Sequence, residues 1–294
     1  MSADPAAAAA PAGPPVTAPP NPAPPAPARS GRPHGDRPGG APGRPRVPAP
    51  AHRGRRAAAP WVLMYHSVDD GAEDPYDITV PPARLERQLA WLGRRGLTGV
   101  GVGELLRAHA AGRSRGLVGL TFDDGYADFT EHALPLLRRH ACTATVFVLP
   151  GRLGGDNAWD ADGPRKPLLD ADGIRAVAAA GMEIGSHGLL HERLTTVGDA
   201  VLHEETHRSR ALLHDLTGTP PAGFCYPYGA VDSRAVRAVR AAGYAYACAV
   251  DPGPLTGPHA LPRIHVGARD TALRLRAKQL LHPLRRPALP EDVS

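Results

Sequence analysis

Cysteines, aromatic rings and long apolar runs are scarce in this chain, and each scarcity excludes something. Its 294 residues include three cysteines, Cys142, Cys225 and Cys248. That is an odd number with no Cys-x-x-Cys pair, so neither a disulfide framework nor a thiolate zinc site is indicated, and the three read as small core residues compatible with a reducing compartment. No segment approaches the roughly 18 consecutive apolar residues of a membrane span. The N-terminus has no basic region followed by an apolar stretch. The run from Ala57 to Met64 behind Arg55-Arg56 faintly imitates an export signal, but Pro60 interrupts it and it leads into Tyr65-His66; it reads as a buried strand. With no readable leader the chain reads as cytoplasmic by sequence, but its location stays undecided.

Aromatic side chains make up 5% of the residues, and none precedes Trp61. In the same stretch, residues 1–60, fall 17 of the 34 prolines and 17 alanines, a composition that cannot bury enough apolar area to fold. The expected organisation is a disordered tail over 1–60, a folded domain over 61–285 and a short tail over 286–294. Acidic charge is also thin in the first tail, with eight arginines against two aspartates. The formal net charge of +5 therefore belongs to the tail and leaves the folded part close to neutral. A nucleic-acid partner is not expected for that domain, and oligomeric state is not legible.

From Trp61 onward, short β-branched or aromatic runs alternate with amphipathic helical patterns, the signature of repeated βα units around a parallel sheet. The runs predict strands at 61–65, 98–102, 117–122, 143–149, 182–186, 223–226, 244–250 and 261–266, with helices over 83–95, 103–111, 127–140, 172–180, 198–216, 233–242 and 271–281. The fold class is α/β. An open doubly wound sheet and a closed barrel share this alternation, and in both the chemistry lies at the C-terminal strand ends. The longest irregular stretch, 150–169, falls on that edge and has the length of a substrate-contacting cover.

The most specific motif is TFDDGY, Thr121 to Tyr126, where an apolar strand runs into two aspartates and a glycine. Successive strand side chains point to opposite faces, but a bend at Gly125 would let both carboxylates reach the strand end. Carboxylates that close resist ionising together unless a cation lies beside them. Next comes SHGLLH, Ser186 to His191, directly after another strand. Histidines at i and i+4 share one face of a helical turn and can hold one metal. Singly, Asp-Asp-Gly is also an ordinary turn, and spaced surface histidines are common in a chain with 14 of them. Together, at two strand ends, they suggest two nitrogens and one oxygen around a cation with room for water, an arrangement suited to hydrolysis. In Phe224-Cys225-Tyr226-Pro227-Tyr228-Gly229 the rings of Tyr226 and Tyr228 suit core packing, while the Pro-Tyr-Gly turn could present a backbone N–H to an oxyanion. Leu63-Met64-Tyr65-His66-Ser67 ends the first strand on a histidine.

These motifs together resemble the polysaccharide deacetylases, carbohydrate esterase family four, over the span from Trp61 to Val266. The resemblance implies a deformed (β/α)7 barrel that removes N-acetyl groups from N-acetylated glycans such as N-acetylglucosamine polymers with a divalent metal, commonly Zn2+; Co2+, Ni2+ and Fe2+ suit the same ligands. It makes Asp123 the general base and Asp124, His187 and His191 the metal ligands. Tyr228 and Tyr226 would serve the oxyanion and substrate. The early MYHSV resembles the permuted poly-N-acetylglucosamine deacetylase branch and implies His66 as general acid. Many relatives carry an arginine at the position of Cys225 to orient the base; Arg263, at another strand end, is the candidate to provide that guanidinium here.

Two other readings compete. His203-Glu204-Glu205-Thr206-His207 satisfies HExxH, a zinc metallopeptidase pattern, although the expected inward stripe of its helix is Leu202, Thr206, Ser209, Leu213 and Leu216. A catalytically inactive carbohydrate-binding protein of the same fold would keep the architecture without turnover.

Overall fold

Runs that are apolar on both faces build the sheet, and stripes with a 3.6-residue period build the helices that cover it. The computed structural model describes residues 60–71, 73–255 and 257–285. The two expected tails lie outside the described residues, Pro60 excepted. In chain order the elements are β1 (Val62–Tyr65), α1 (Pro82–Arg94), β2 (Thr98–Val100), α2 (Val102–Ala110), β3 (Leu117–Phe122), α3 (Leu134–Arg139), β4 (Thr145–Val148), α4 (Ala171–Ala179), β5 (Glu183–Ser186), α5 (Asp199–His203), α6 (Ser209–Thr217), β6 (Gly223–Cys225), α7 (Ser233–Ala241), β7 (Tyr246–Ala249), β8 (Leu261–Pro262), β9 (Ile264–His265) and α8 (Ala272–Arg285). Among the described residues no helix is long and apolar enough to cross a membrane.

The strands pair in parallel in the order β8-β7-β6-β5-β4-β3-β1-β9. The two ends of that list are neighbours in the chain, separated by Arg263 alone. Leu261 pairs with Cys248 of β7, and Ile264 pairs with Leu63 of β1. One broken strand therefore bridges the two sides and leaves a nearly closed, deformed (β/α)7 barrel. The run 261–266 was expected to be a single strand. Pro262, still paired with Ala249 of β7, has no N–H to continue that ladder, and the strand changes partner at the next residue, Arg263. The deformation has a second source: β2 pairs with Leu117–Gly119 of β3, while β4 pairs with Thr121 and Phe122.

Val62, Phe147, Cys225, Tyr246, Cys248 and Leu261 belong to one buried cluster. Gly185 and Gly223 lie under the rings of Phe147 and Tyr246, so a Cβ at either position would run into an aromatic ring. Beside this cluster Glu183 accepts from Tyr246 Oη at 2.9 Å, Thr145 Oγ1 at 2.7 Å and Gly103 N at 2.9 Å. The larger core, with Leu63, Leu89, Leu120, Phe122, Ile174 and Leu213, lies between the sheet and the helices.

Two predicted helices are interrupted. The one expected over 127–140 contains a π-turn at Phe129–Ala133 before α3, next to Pro135, which cannot donate to the helical ladder. The one expected over 198–216 opens into a π-turn at Glu204–Arg208 between α5 and α6.

Candidate active site

Of the five non-glycine residues with positive φ among those described, four line one open cavity of about 450 Å3: Asp77, Asp124, His191 and Tyr228. Strained backbone collects at functional sites because the surroundings must over-determine it. Here it turns side chains toward a common point. At the end of β3, Asp124 has φ 69° and Gly125 φ 70°, so the bend begins one residue earlier than expected and brings both carboxylates to the cavity.

Asp124 Oδ1 lies 3.2 Å from His187 Nε2 and 3.3 Å from His191 Nε2. The oxygen is buried and has no hydrogen-bond partner. The three atoms therefore converge on a shared point rather than satisfying one another, and all lie within 4.8 Å of each other. His187 Nδ1 donates to the Cys225 carbonyl at 2.9 Å, which turns Nε2 toward that point as outer hydrogen bonds do for histidine ligands. Two imidazole nitrogens and a carboxylate oxygen, with an open side toward the cavity, fit a divalent cation in a catalytic arrangement.

The histidines were expected to share a helical turn, and they do not. Gly188 has φ 90° and His191 φ 72°, so the link between them is an irregular loop that folds back on itself. His191 is stacked under Trp159 with centroids 4.3 Å apart and meets Tyr228 edge-on at 4.6 Å. Trp159 comes from the predicted cover loop, whose Arg152 lies over the Trp159 ring and donates from Nε to the Leu190 carbonyl at 2.9 Å. As the only aromatic residue in 150–169, it was the readable signal for a contact there.

Asp123 faces the barrel interior. Both its oxygens accept from Arg263, Nη1 to Oδ1 at 2.6 Å and Nη2 to Oδ2 at 2.7 Å. Arg263 is 2% exposed; it also donates to Thr121 Oγ1 at 2.9 Å and to Cys225 Sγ at 3.0 Å. The Cys225 thiol in turn faces Asp123 Oδ2 at 3.5 Å, and burial pushes that thiol up so that it stays protonated. Across the cavity, His66 Nε2 is 3.9 Å from Asp123 Oδ2.

Burial is the largest influence on both aspartates and raises them, but it is outweighed: Arg263 holds Asp123 below the ordinary carboxylate value, and His187 and His191 hold Asp124 well below it. His187 is held well above the ordinary histidine value. Burial opposes its charge, but Cys225 and Asp124 beside it prevail. Tyr226 lines the cavity while fully buried, its hydroxyl donating to the His259 carbonyl at 2.9 Å. Tyr228 stands at the rim, 47% exposed, with Arg193 over its ring.

A family model described as Polysaccharide deacetylase matches residues 110–247. Over that span, just under half of its length, the chain is similar to the polysaccharide deacetylases. YxkH of Bacillus subtilis strain 168, named within this deacetylase family, is 26% identical over 210 residues, covering 70% of each chain. Poly-beta-1,6-N-acetyl-D-glucosamine N-deacetylase of Escherichia coli O157:H7 is 31% identical over 100 residues, which are 31% of this chain and 15% of that protein. The chain therefore matches only a small part of that relative's length. Among solved structures, the Streptococcus pyogenes deacetylase PplD in complex with acetate shares the fold with a TM-score of 0.63 at 21% identity, covering 76% of this chain and 98% of that one. The span matched by the deacetylase model holds Asp123, Asp124, His187, His191 and the 224–229 turn. His66 and Arg263 fall outside it, and the barrel brings both to Asp123.

The HExxH pattern does not assemble a centre. His203 and His207 stack face to face, with centroids 4.0 Å apart and planes 19° from parallel. Glu204 pairs with Arg208 at 2.9 Å on the surface, and neither histidine belongs to a candidate metal cluster among the described residues. The double variant His203→Ala/His207→Ala is expected to keep wild-type metal content by elemental analysis. Loss of all bound metal in that protein would restore the peptidase reading.

Proposed function

We propose that this protein hydrolyses N-acetyl groups on an N-acetylglucosamine-type polysaccharide or oligosaccharide, releasing acetate, with a divalent metal held by Asp124, His187 and His191, zinc being the first candidate. The observation that carries the reading is the convergence of three metal-ligating atoms beside a carboxylate clamped by a buried arginine, with a histidine facing it across one cavity. When bound, the cation supplies Lewis acidity, polarising an acyl oxygen and making water more acidic.

Asp123 is the base in this scheme. Its oxygens each accept one N–H from Arg263 and retain lone pairs toward the cavity, so the clamp orients the carboxylate and keeps it ionised without blocking it. The carboxylate takes a proton from water as the water oxygen bonds to the acyl carbon. His66 gives a proton to the departing nitrogen as the C–N bond breaks, leaving acetate and a free amine. The Tyr228 backbone N–H is the candidate donor to the oxyanion. Tyr228 and Trp159 place aromatic rings along the cavity beside the proposed ligands, where their apolar edges can meet a sugar.

The test uses purified protein with β-1,4- and β-1,6-linked N-acetylglucosamine oligomers and acetate release as the signal. Chelation is expected to abolish release and added zinc or cobalt to restore it, with Asp124→Ala inactive and free of metal. Metal-loaded protein that releases no acetate from chitin, peptidoglycan fragments or the β-1,6-linked polymer would favour a carbohydrate-binding role instead.

A further inference from the structure

Outside the groups used above, one buried carboxylate sits directly behind the metal ligands. Glu205 is 1% exposed. Its Oε2 accepts from Leu189 N at 2.8 Å, and both oxygens accept from Leu190 N, at 3.0 and 3.2 Å. A third N–H, that of Glu192, also approaches it. Leu189 and Leu190 are two of the three residues linking His187 to His191. The carbonyls of the same two residues are occupied from the other side, Leu189 O by Gly151 N at 3.0 Å and Leu190 O by Arg152 Nε at 2.9 Å. The link is thus gripped on both edges of its peptide planes.

It needs that grip. Gly188 and His191 both hold positive φ, and a histidine keeps this strained conformation only where its surroundings enforce it. At Gly188 a Cβ would overlap Glu205 Oε2, so the carboxylate occupies the space that a side chain would take. Glu205 is itself fixed by the π-turn. Its own carbonyl accepts from Ser209 Oγ at 2.6 Å, and Thr206 O accepts from Ser209 Oγ at 3.0 Å and Tyr244 Oη at 3.1 Å. Ser209 Oγ also receives Ser186 Oγ at 3.0 Å, immediately before His187. The same helical irregularity therefore anchors the ligand loop at its start and along its length.

We infer that Glu205 is a positioning residue which, by accepting the Leu189 and Leu190 N–H groups, sets the approach of His187 and His191 to their shared point and so governs metal affinity. The inference rests on the metal-ligand reading above, but its consequence is read from metal binding alone, without substrate.

Glu205→Gln and Glu205→Ala are titrated with zinc against a competing chelator, beside Glu204→Gln as the surface control. The zinc dissociation constant is expected to rise about 10–100-fold in the Glu205 variants, the usual range for losing an outer-shell partner of a metal ligand, and to stay at the wild-type value in Glu204→Gln. Cobalt-loaded Glu205→Gln is expected to show a displaced ligand-field absorption band while its metal-free melting curve overlies that of the wild type. Unchanged zinc affinity in Glu205→Gln would overturn the inference and leave the metal site standing. Equal weakening in Glu204→Gln, or loss of the fold in Glu205→Gln, would overturn it too. A wild-type protein that takes up no zinc would overturn the metal site itself, and the inference with it.

Discussion

Asp123→Asn is expected to lower acetate release by about 10²–10⁴-fold, the span that a general base contributes, while zinc content stays at the wild-type level. The separation follows from geometry. Asp123 and Asp124 are adjacent in sequence, but Asp124 Oδ1 faces the two imidazoles while Asp123 faces Arg263. The amide of asparagine keeps the shape and one acceptor oxygen but cannot take up a proton near neutral pH. It also presents an NH2 group to a guanidinium that only donates, so the melting point should fall and the assay belongs well below it. Metal analysis beside the acetate assay checks the split. Turnover within a few-fold of wild type would remove Asp123 from proton transfer, whereas loss of zinc would make it a ligand rather than a base.

The second large effect is expected at Arg263. Arg263→Leu leaves the Asp123 carboxylate buried with no counter-charge, and removing one member of a buried ion pair costs about 3–5 kcal/mol. The effect also has a pH signature. In the wild type Asp123 titrates below its ordinary value, so its contribution to stability is present above the ordinary carboxylate pKa and is lost as pH falls through the lowered one. Without Arg263 the burial influence is opposed only by the nearby His187 and His66, weaker influences than the lost guanidinium, and the pKa moves upward. The leucine variant is then most destabilised near neutrality, and its deficit shrinks as acid neutralises the carboxyl. The acid limb of kcat/KM moves to higher pH in step. Urea midpoints across pH and a pH–rate profile check both parts; an acid limb that stays in place would show that Arg263 does not tune Asp123. Arg263→Lys is expected to recover part of the stability and little of the orientation, because an ammonium cannot match the two-pronged contact.

The α/β alternation, the strand-end position of every motif and the two halves of the proposed ligand set could be read from residue pattern alone, since apolar runs ending in Asp-Asp-Gly or Ser-His-Gly carry their own meaning. What could not be read were features made by contacts distant in sequence. The Arg263–Asp123 contact spans 140 residues; Arg263 was a candidate only because the resemblance called for a guanidinium, and nothing in Leu261-Pro262-Arg263-Ile264 itself says which way its side chain turns. Closure of the barrel depends on one segment changing partners at Arg263, whereas periodicity sees only a short apolar run. The helical spacing of His187 and His191 was misleading, because a glycine with φ 90° follows His187 directly. Glu205 escaped notice because a stripe drawn through Leu202, Thr206, Ser209 and Leu213 counts apolar and small side chains, and a buried carboxylate beside them is not part of that pattern.

The broken strand also has a bearing on how the molecule comes into being. A ribosome delivers Asp123, Asp124, His187 and His191 well before Leu261–His265, the segment that pairs with β7 and β1 at once. A nascent polypeptide halted before Leu261 would contain every proposed ligand for a cation yet lack the last stave and its guanidinium. Under the proposed function, the groups that would hold a cation are therefore synthesised before the guanidinium that orients the base, and barrel closure waits on the piece that joins the two edges.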